Sequence, residues 1–245
     1  MTDEQVNSLG IPSNEVTDEY SDDFSDVVSS TYYSINDKQL MAMQMISSAY
    51  IKILKALNLA YGLKYEDENF RETPKRIAKM MILERCRGIN SEEICKQMLS
   101  KVFPCMNNHE TDQLIITTNP AIVYSICPHH FENVRYHVWT GYIPNGKFCG
   151  ISKFSRVVEL YAAQPILQES YTSGLADIIM EALNPKGVIV IVKGAHDCMI
   201  ARGVKSNPKQ VMVTSALRGV FSEPGQHTFK EEFFSLANNL DCLVY

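Results

Sequence analysis

Two short stretches hold most of the chemistry-bearing side chains of this 245-residue chain. In "SICPHHFENV", residues 125–134, Cys127 is followed two and three positions later by His129 and His130. A thiol and an imidazole so close suit a borderline-soft cation such as Zn2+, which takes sulfur and nitrogen ligands in tetrahedral geometry. Alone, Cys127-x-x-His130 is half a site, and reads equally well as a buried thiol beside a polar loop. The second stretch, "GAHDCMIARG", contains His196 and Cys198. Read as extended chain, residues two apart face the same side, so both address one pocket. Cys127, His130 and Cys198 then make three ligands with a fourth position open to water, the layout of a catalytic metal site. His129 and His196 are left for proton transfer.

These side chains need elements to hold them. From Asp37, "DKQLMAMQMISSAYIKILKALNLAYG" spaces Leu40, Met43, Ile46, Ile51, Leu54 and Leu57 for a long amphipathic helix that Gly62 ends. "ETPKRIAKMMILERCRG" predicts a second helix, with Thr73 as N-cap, Pro74 at its first position and Gly88 as its stop. Arg76 and Lys79 share one face of it, which alone reads as a solvated basic face. Beyond residue 113 the period changes. "QLIITTNPAIVYSIC" and "VRYHVWTGYIP" read as strands joined across the Cys-His-His loop. "SKFSRVVELYAAQ" and "QESYTSGLADIIMEALNPKG" read as helices, and "GVIVIVKGAHDCMIARG" and "KQVMVTSALRGVF" as strands again.

Charge divides the chain unevenly. No Lys or Arg precedes Lys38, while nine Asp and Glu do, so the first 37 residues carry about −9 and the remainder about +4. The mildly basic body suits an anionic small molecule and does not call for nucleic acid. Residues 1–34 read as an acidic disordered tail, 35–110 as a helical region and 111–245 as the catalytic core. Seven cysteines, an odd number, with no signal peptide or apolar run of membrane-spanning length before them, lead to the expectation of a reduced, cytoplasmic setting with no membrane partner.

"CPHH", "GYIPNGKFCGISKFSRVVELYAAQPILQES" and "HDCMIARGV", in this order and spacing, resemble the zinc-dependent GTP cyclohydrolase I family. "ETPKRIAKM" upstream and "TSALRGVF" downstream match as well, so the resemblance runs from about residue 40 to 235. It implies an α+β fold with a T-fold core, antiparallel hairpins flanking two helices, behind an N-terminal helical region. It also implies a homo-oligomer, a decamer with sites at subunit interfaces.

The implied reaction opens the imidazole ring of GTP at C8, releases formate and rearranges the remainder to 7,8-dihydroneopterin triphosphate, with Zn2+ as cofactor. Carried over residue by residue, Cys127, His130 and Cys198 hold the metal, His129 protonates the purine at N7 and His196 assists later transfers. Gln168 and Glu169 read the guanine. Ser152, Lys153, Arg156 and Arg202 take the triphosphate, joined by Arg76 and Lys79 from another subunit. The sequence departs from the family at Pro128, where Glu is usual, and at Ser170, where Arg is common. Two further readings are a divergent paralogue acting on a related guanine nucleotide and a catalytically silent nucleotide-binding subunit; the presence of both His129 and His196 favours the enzyme.

Overall fold

The computed structural model describes residues 35–106, 113–118, 122–223 and 229–235; the expected acidic tail lies outside them. The chain forms two compact units, Met1–Ile82 and Leu83–Tyr245. This division falls upstream of the expected boundary at 110/111, because Cys95 and Leu99 of a helix before that boundary are buried in the core of the second unit.

In the first unit, helix α1 spans Asp37–Tyr61. Asn36 and Gln39 close a reciprocal capping box at its start, and Gly62, in the left-handed region at φ 72°, caps its end by donating to Asn58 O. The turn Glu68–Arg71 (α2) leads into α3, Thr73–Lys79, which packs on α1. The N-cap of α3 is Glu72, one residue earlier than expected, so Pro74 stands second in the first turn, where its missing N–H still costs no helical bond. By length and apolarity α1 also matches a membrane crossing, against the expectation that no such run exists; 17% of that window is buried. Lys52, close to its middle, would cost about 2.5–3.5 kcal/mol at a bilayer centre. Past α3 the chain widens into a π-helical stretch, Met80–Arg85, and so leaves the α-helix well before Gly88.

The second unit is built on one antiparallel sheet. Its central strand β4, Asn133–Ile143, pairs along one side with β2 (Ile115–Thr118) and β3 (Val123–Ile126), which lie end to end. Along its other side β4 pairs with β6 (Gly187–His196), and β6 with β7 (Met212–Gly219). The two expected hairpins are thus joined edge to edge, with the helix pair as the crossover between them. A two-stranded ribbon of β1 (Val102–Pro104) and β5 (Lys147–Cys149) is an addition that the sequence pattern did not announce. Helices α4 (Glu92–Leu99), α5 (Ile151–Ala162) and α6 (Gln168–Leu183) complete the unit, and α4 packs on both α5 and α6.

Period-two alternation sorts the sheet's residues between two clusters. Val134, Tyr136, Val138, Tyr142, Val188, Val190 and Val192 join the helices in the larger one. Trp139, Ile143, Ile189 and Ile191 turn the other way, onto Phe221 and Phe233. Burial on both faces explains why β6 reads as the unbroken apolar run "GVIVIV". On α6 the buried residues Gln168, Tyr171, Thr172, Leu175, Ala176, Ile179 and Leu183 follow the three-four spacing of one helical face.

Candidate metal centre

Three strand ends meet at one edge of the sheet. The register pairs Ser125 of β3 with Val134 of β4, and Val134 with His196 of β6. The segments that continue from these ends carry the ligand candidates. Residues 127–132 form a tight turn in which Cys127 N donates to Glu132 O and Phe131 N to Cys127 O, with Phe131 left-handed at φ 56°. Cys198 is not on extended chain as expected: β6 ends at His196 and Asp197–Ile200 form a one-turn helix, α7, closed by Ala201 N to Asp197 O. His196 and Cys198 therefore address the site from a strand end and a helical turn, not from one face of a strand.

The ligand atoms of Cys127, His130 and Cys198 all lie within 4.8 Å of one another. The two sulfurs are 3.7 Å apart and Cys127 Sγ stands 3.9 Å from His130 Nδ1. A tetrahedral Zn2+ with bonds of about 2.3 Å to sulfur places two thiolates about 3.8 Å apart, so the thiol spacing fits that ion. Burial, then the neighbouring Cys127, push the Cys198 thiol up, while Arg202 draws it down. Two adjacent buried thiols resist ionising together until a cation lies between them, and this donor set is the one a borderline-soft metal takes. His129 Nδ1 is also 4.0 Å from Cys127 Sγ, but His129 does not join the three-ligand set; its ring is exposed.

His196 is held from behind. Its Nε2 is 3.0 Å from Gln168 Oε1. The Gln168 amide nitrogen is already committed to Val192 O, Met212 O and Thr214 Oγ1, so only its oxygen faces the imidazole. Nε2 of His196 is therefore the protonated nitrogen and donates, which leaves Nδ1 with a free lone pair. Burial lowers the His196 pKa, against the pull of Glu169 and Asp197, and so favours the neutral base. Gly194 makes this contact sterically available: a Cβ there would collide with Gln168 Oε1. Gln168 is buried with both ends of its amide engaged. It is placed to orient His196.

Glu169, the next residue, is exposed in the first turn of α6, at the rim of a cavity of about 510 Å3 that Thr172, Ser173, Thr214, Arg218 and Lys230 also line. Arg218 is anchored there by Asp177 at 2.6 and 3.1 Å. A smaller cavity of about 300 Å3 adjoins His196, Met199, Ile200 and Met212. Of the expected phosphate-binding residues in this unit, Arg202 lies near enough to Cys198 to act on its thiol, whereas Ser152, Lys153 and Arg156 stand away from the ligand turn. Ser152 and Lys153 stand in the first turn of α5 with Arg156 one turn on, Arg202 follows α7, and Arg76 and Lys79 belong to α3 in the other unit. The end of α5 is what approaches the ligand turn, through the Ile126–Pro165 bridge and Ile166 N to Ile126 O. Its first turn lies about 15 Å further back along the helix axis.

Sequence reasoning missed four residues here: Gly194 behind Gln168, and Arg85, Arg135 and Asp197 around the ligand segments. Asp197 stood between two chosen residues, yet its partner Arg135 is 62 positions away and only the β4–β6 register brings them together.

An antiparallel sheet covered by a helix pair, with a Cys/His/Cys group able to hold a metal ion at its strand ends, defines a T-fold type of α+β protein. The profile of the GTP cyclohydrolase I family matches residues 46–238, and the chain belongs to that family. The GTP cyclohydrolase 1 of Pelotomaculum thermopropionicum is 41% identical over 174 residues, 69% of this chain and 88% of that one. Those of Thermobifida fusca and Clostridium perfringens are each 38% identical, over 70% and 75% of this chain and 80% and 93% of theirs. Among solved structures, an apo archaeosine synthase QueF-Like aligns at a TM-score of 0.36 and 24% identity, covering 43% of this chain and 93% of that one.

Proposed function

We propose that this chain is a zinc-dependent GTP cyclohydrolase I that opens the imidazole ring of GTP at C8, releases formate and yields 7,8-dihydroneopterin triphosphate. The observation that carries the reading is the convergence of Cys127, His130 and Cys198 beside an oriented His196 in a chain that matches the family over residues 46–238. Cys127, His130 and Cys198 would hold Zn2+, which would make a hydroxide nucleophile available near neutral pH by lowering the pKa of water.

The other roles fall to side chains around that group. His129 protonates N7 and makes C8 electrophilic. His196, with Nε2–H fixed on Gln168, offers Nδ1 to accept and return protons during the rearrangement. Glu169 accepts from guanine N1 and N2, a donor pair that adenine lacks. Ser152, Lys153, Arg156, Arg202, Arg76 and Lys79 take the triphosphate. The separation of the α5 first turn from the ligand turn supports a homo-oligomer in which one copy supplies ring chemistry and another supplies cations. The decamer of the family is the proposed assembly.

The test is incubation of zinc-loaded protein with GTP and, separately, with ATP. Formate and a fluorescent pterin in equal amounts from GTP alone are the expected result. Nucleotide binding without formate would favour a silent subunit, and turnover of ATP would remove the role of Glu169.

A further inference from the structure

The two ligand-bearing segments come from distant parts of the chain, with 71 positions between Cys127 and Cys198. Their spacing depends on what fixes each segment to the sheet. We propose that two arginines outside the ligand set, Arg85 and Arg135, brace these segments against the first residues of β4 and act as positioning residues for the metal centre. The proposal rests on the metal-centre reading above.

Arg85 closes the base of the first segment. Its Nη2 donates to Ser125 O at 2.8 Å and to Asn133 Oδ1 at 2.6 Å. Ser125 and Asn133 stand on either side of the 127–132 turn, so the two N–H groups of one nitrogen tie its entry to its exit. The guanidinium also lies 5.9 Å from the Tyr124 ring centroid, within the range of a cation–π contact. Lysine has no planar fork with which to bridge both acceptors over that ring.

Arg135 holds the second segment. It is two residues beyond Asn133 on β4, and its Nη2 donates to Asp197 Oδ1 at 2.9 Å. Asp197 lies between His196 and Cys198 and opens α7. The side chains of the pair are 37% and 25% exposed, so solvent screens the contact less than it would a free surface pair. A continuous line of contacts results: Arg85 to Asn133, along β4 to Arg135, across to Asp197 and so to Cys198. The thiol spacing is set by this line together with the Val134–His196 pairing. Residues that hold ligands in place without touching the metal commonly change its affinity by about 10–100-fold.

The experiment titrates Zn2+ into metal-depleted full-length protein against a chromophoric chelator and records the visible spectrum of the Co2+ form. Asn133→Ala and Asp197→Asn each weaken Zn2+ binding about tenfold, and their double variant multiplies the two losses. Arg135→Met combined with Asp197→Asn loses no more than either alone, because the two form one contact. Arg85→Ala loses at least as much as Asn133→Ala, because it also releases Ser125 O, and Arg85→Lys does not restore affinity. KM for GTP stays unchanged in all of them, since neither arginine is among the residues proposed to hold the nucleotide, and the Co2+ bands shift as the ligand geometry relaxes. Wild-type affinity and spectra in folded Asn133→Ala and Asp197→Asn would overturn the bracing and leave the metal centre standing. Wild-type protein that takes up no metal overturns the bracing and the proposed function together.

Discussion

At the metal edge of the sheet the side chains proposed for ring chemistry are fixed by their neighbours, whereas at the start of α5 those proposed for the triphosphate stand on open helix. Cys127 and Cys198 are buried and in contact, and His196 is bonded to Gln168, which itself has three further partners. Ser152 and Arg156 are exposed, and Arg202 sits in an exposed stretch after α7. The difference separates two jobs. Chemistry on a ring needs groups held to a fraction of an ångström before substrate arrives, which one folded unit can supply. Long-range attraction for a triphosphate tolerates cations on exposed side chains, which in the proposed homo-oligomer would be open to a neighbouring copy.

The comparison is broken most severely at the ligand set. Cys198→Ala leaves one thiolate and one imidazole, too few strong ligands to retain the ion, so both metal content and formate release should disappear. Full metal occupancy in this variant, measured by elemental analysis, would show that Cys198 is not a ligand. A sharper use of the same variant is to mix it with Lys153→Ala chains under conditions that exchange subunits. Each chain alone is inactive or nearly so, and the mixture should regain activity, because sites with an intact metal edge from one copy and intact cations from the other are formed. A mixture as inactive as its components would place both groups of residues within one chain's site.

The next effect in size concerns the base. Glu169→Gln replaces an acceptor with a donor opposite the guanine N1 and N2 hydrogens and should cost about 2 to 4 kcal/mol, or about 30- to 1,000-fold in kcat/KM. Binding of the triphosphate should survive in part, so equilibrium binding of GTP should fall less than turnover. Equal losses in both would mean that Glu169 serves binding in general and does not read the ring.

Smaller effects sharpen the fixed side of the comparison. Gly194→Ala puts a Cβ into Gln168 Oε1, and the displaced amide should release His196. The expected outcome is unchanged metal content with turnover down about tenfold, in line with the loss of other orienting contacts. Metal loss instead would mean that the substitution spreads into the ligand turn. Deletion of residues 1–34 is expected to change turnover by no more than a few-fold, since the segment is acidic, poor in large aliphatics and outside every motif. A large change in GTP affinity would assign the tail a role in shielding the basic residues.

Much of this arrangement was legible in the sequence, for physical reasons that also mark where legibility stops. The order of strands and helices followed from period and end signals, because a stop such as Gly62 acts by local geometry, the left-handed cap that a residue without a Cβ adopts freely. The Cys/His/Cys set was legible because few other residue types bind a soft cation. The partners of Gln168 were not legible: the sequence offered it beside Glu169 as a reader of the base, and only the fold brings its amide onto β6, β7 and His196, contacts 24 to 46 positions away. The α7 turn was read as strand because "HDC" carries no strong helix start. Arg85 and Arg135 had no local signal at all, since an arginine's partner is set by strand register and not by spacing.

The central claim is that Cys127, His130 and Cys198 would hold one metal ion on which opening of the imidazole ring of GTP depends. Titration of Zn2+ into metal-depleted protein, with formate release from GTP followed at each addition, tests it most directly. Activity should rise in proportion to bound metal and level off at one ion per chain, with no rise in the Cys198→Ala variant. Turnover that is full before metal is added, or that Cys198→Ala recovers at the same stoichiometry, would contradict the account.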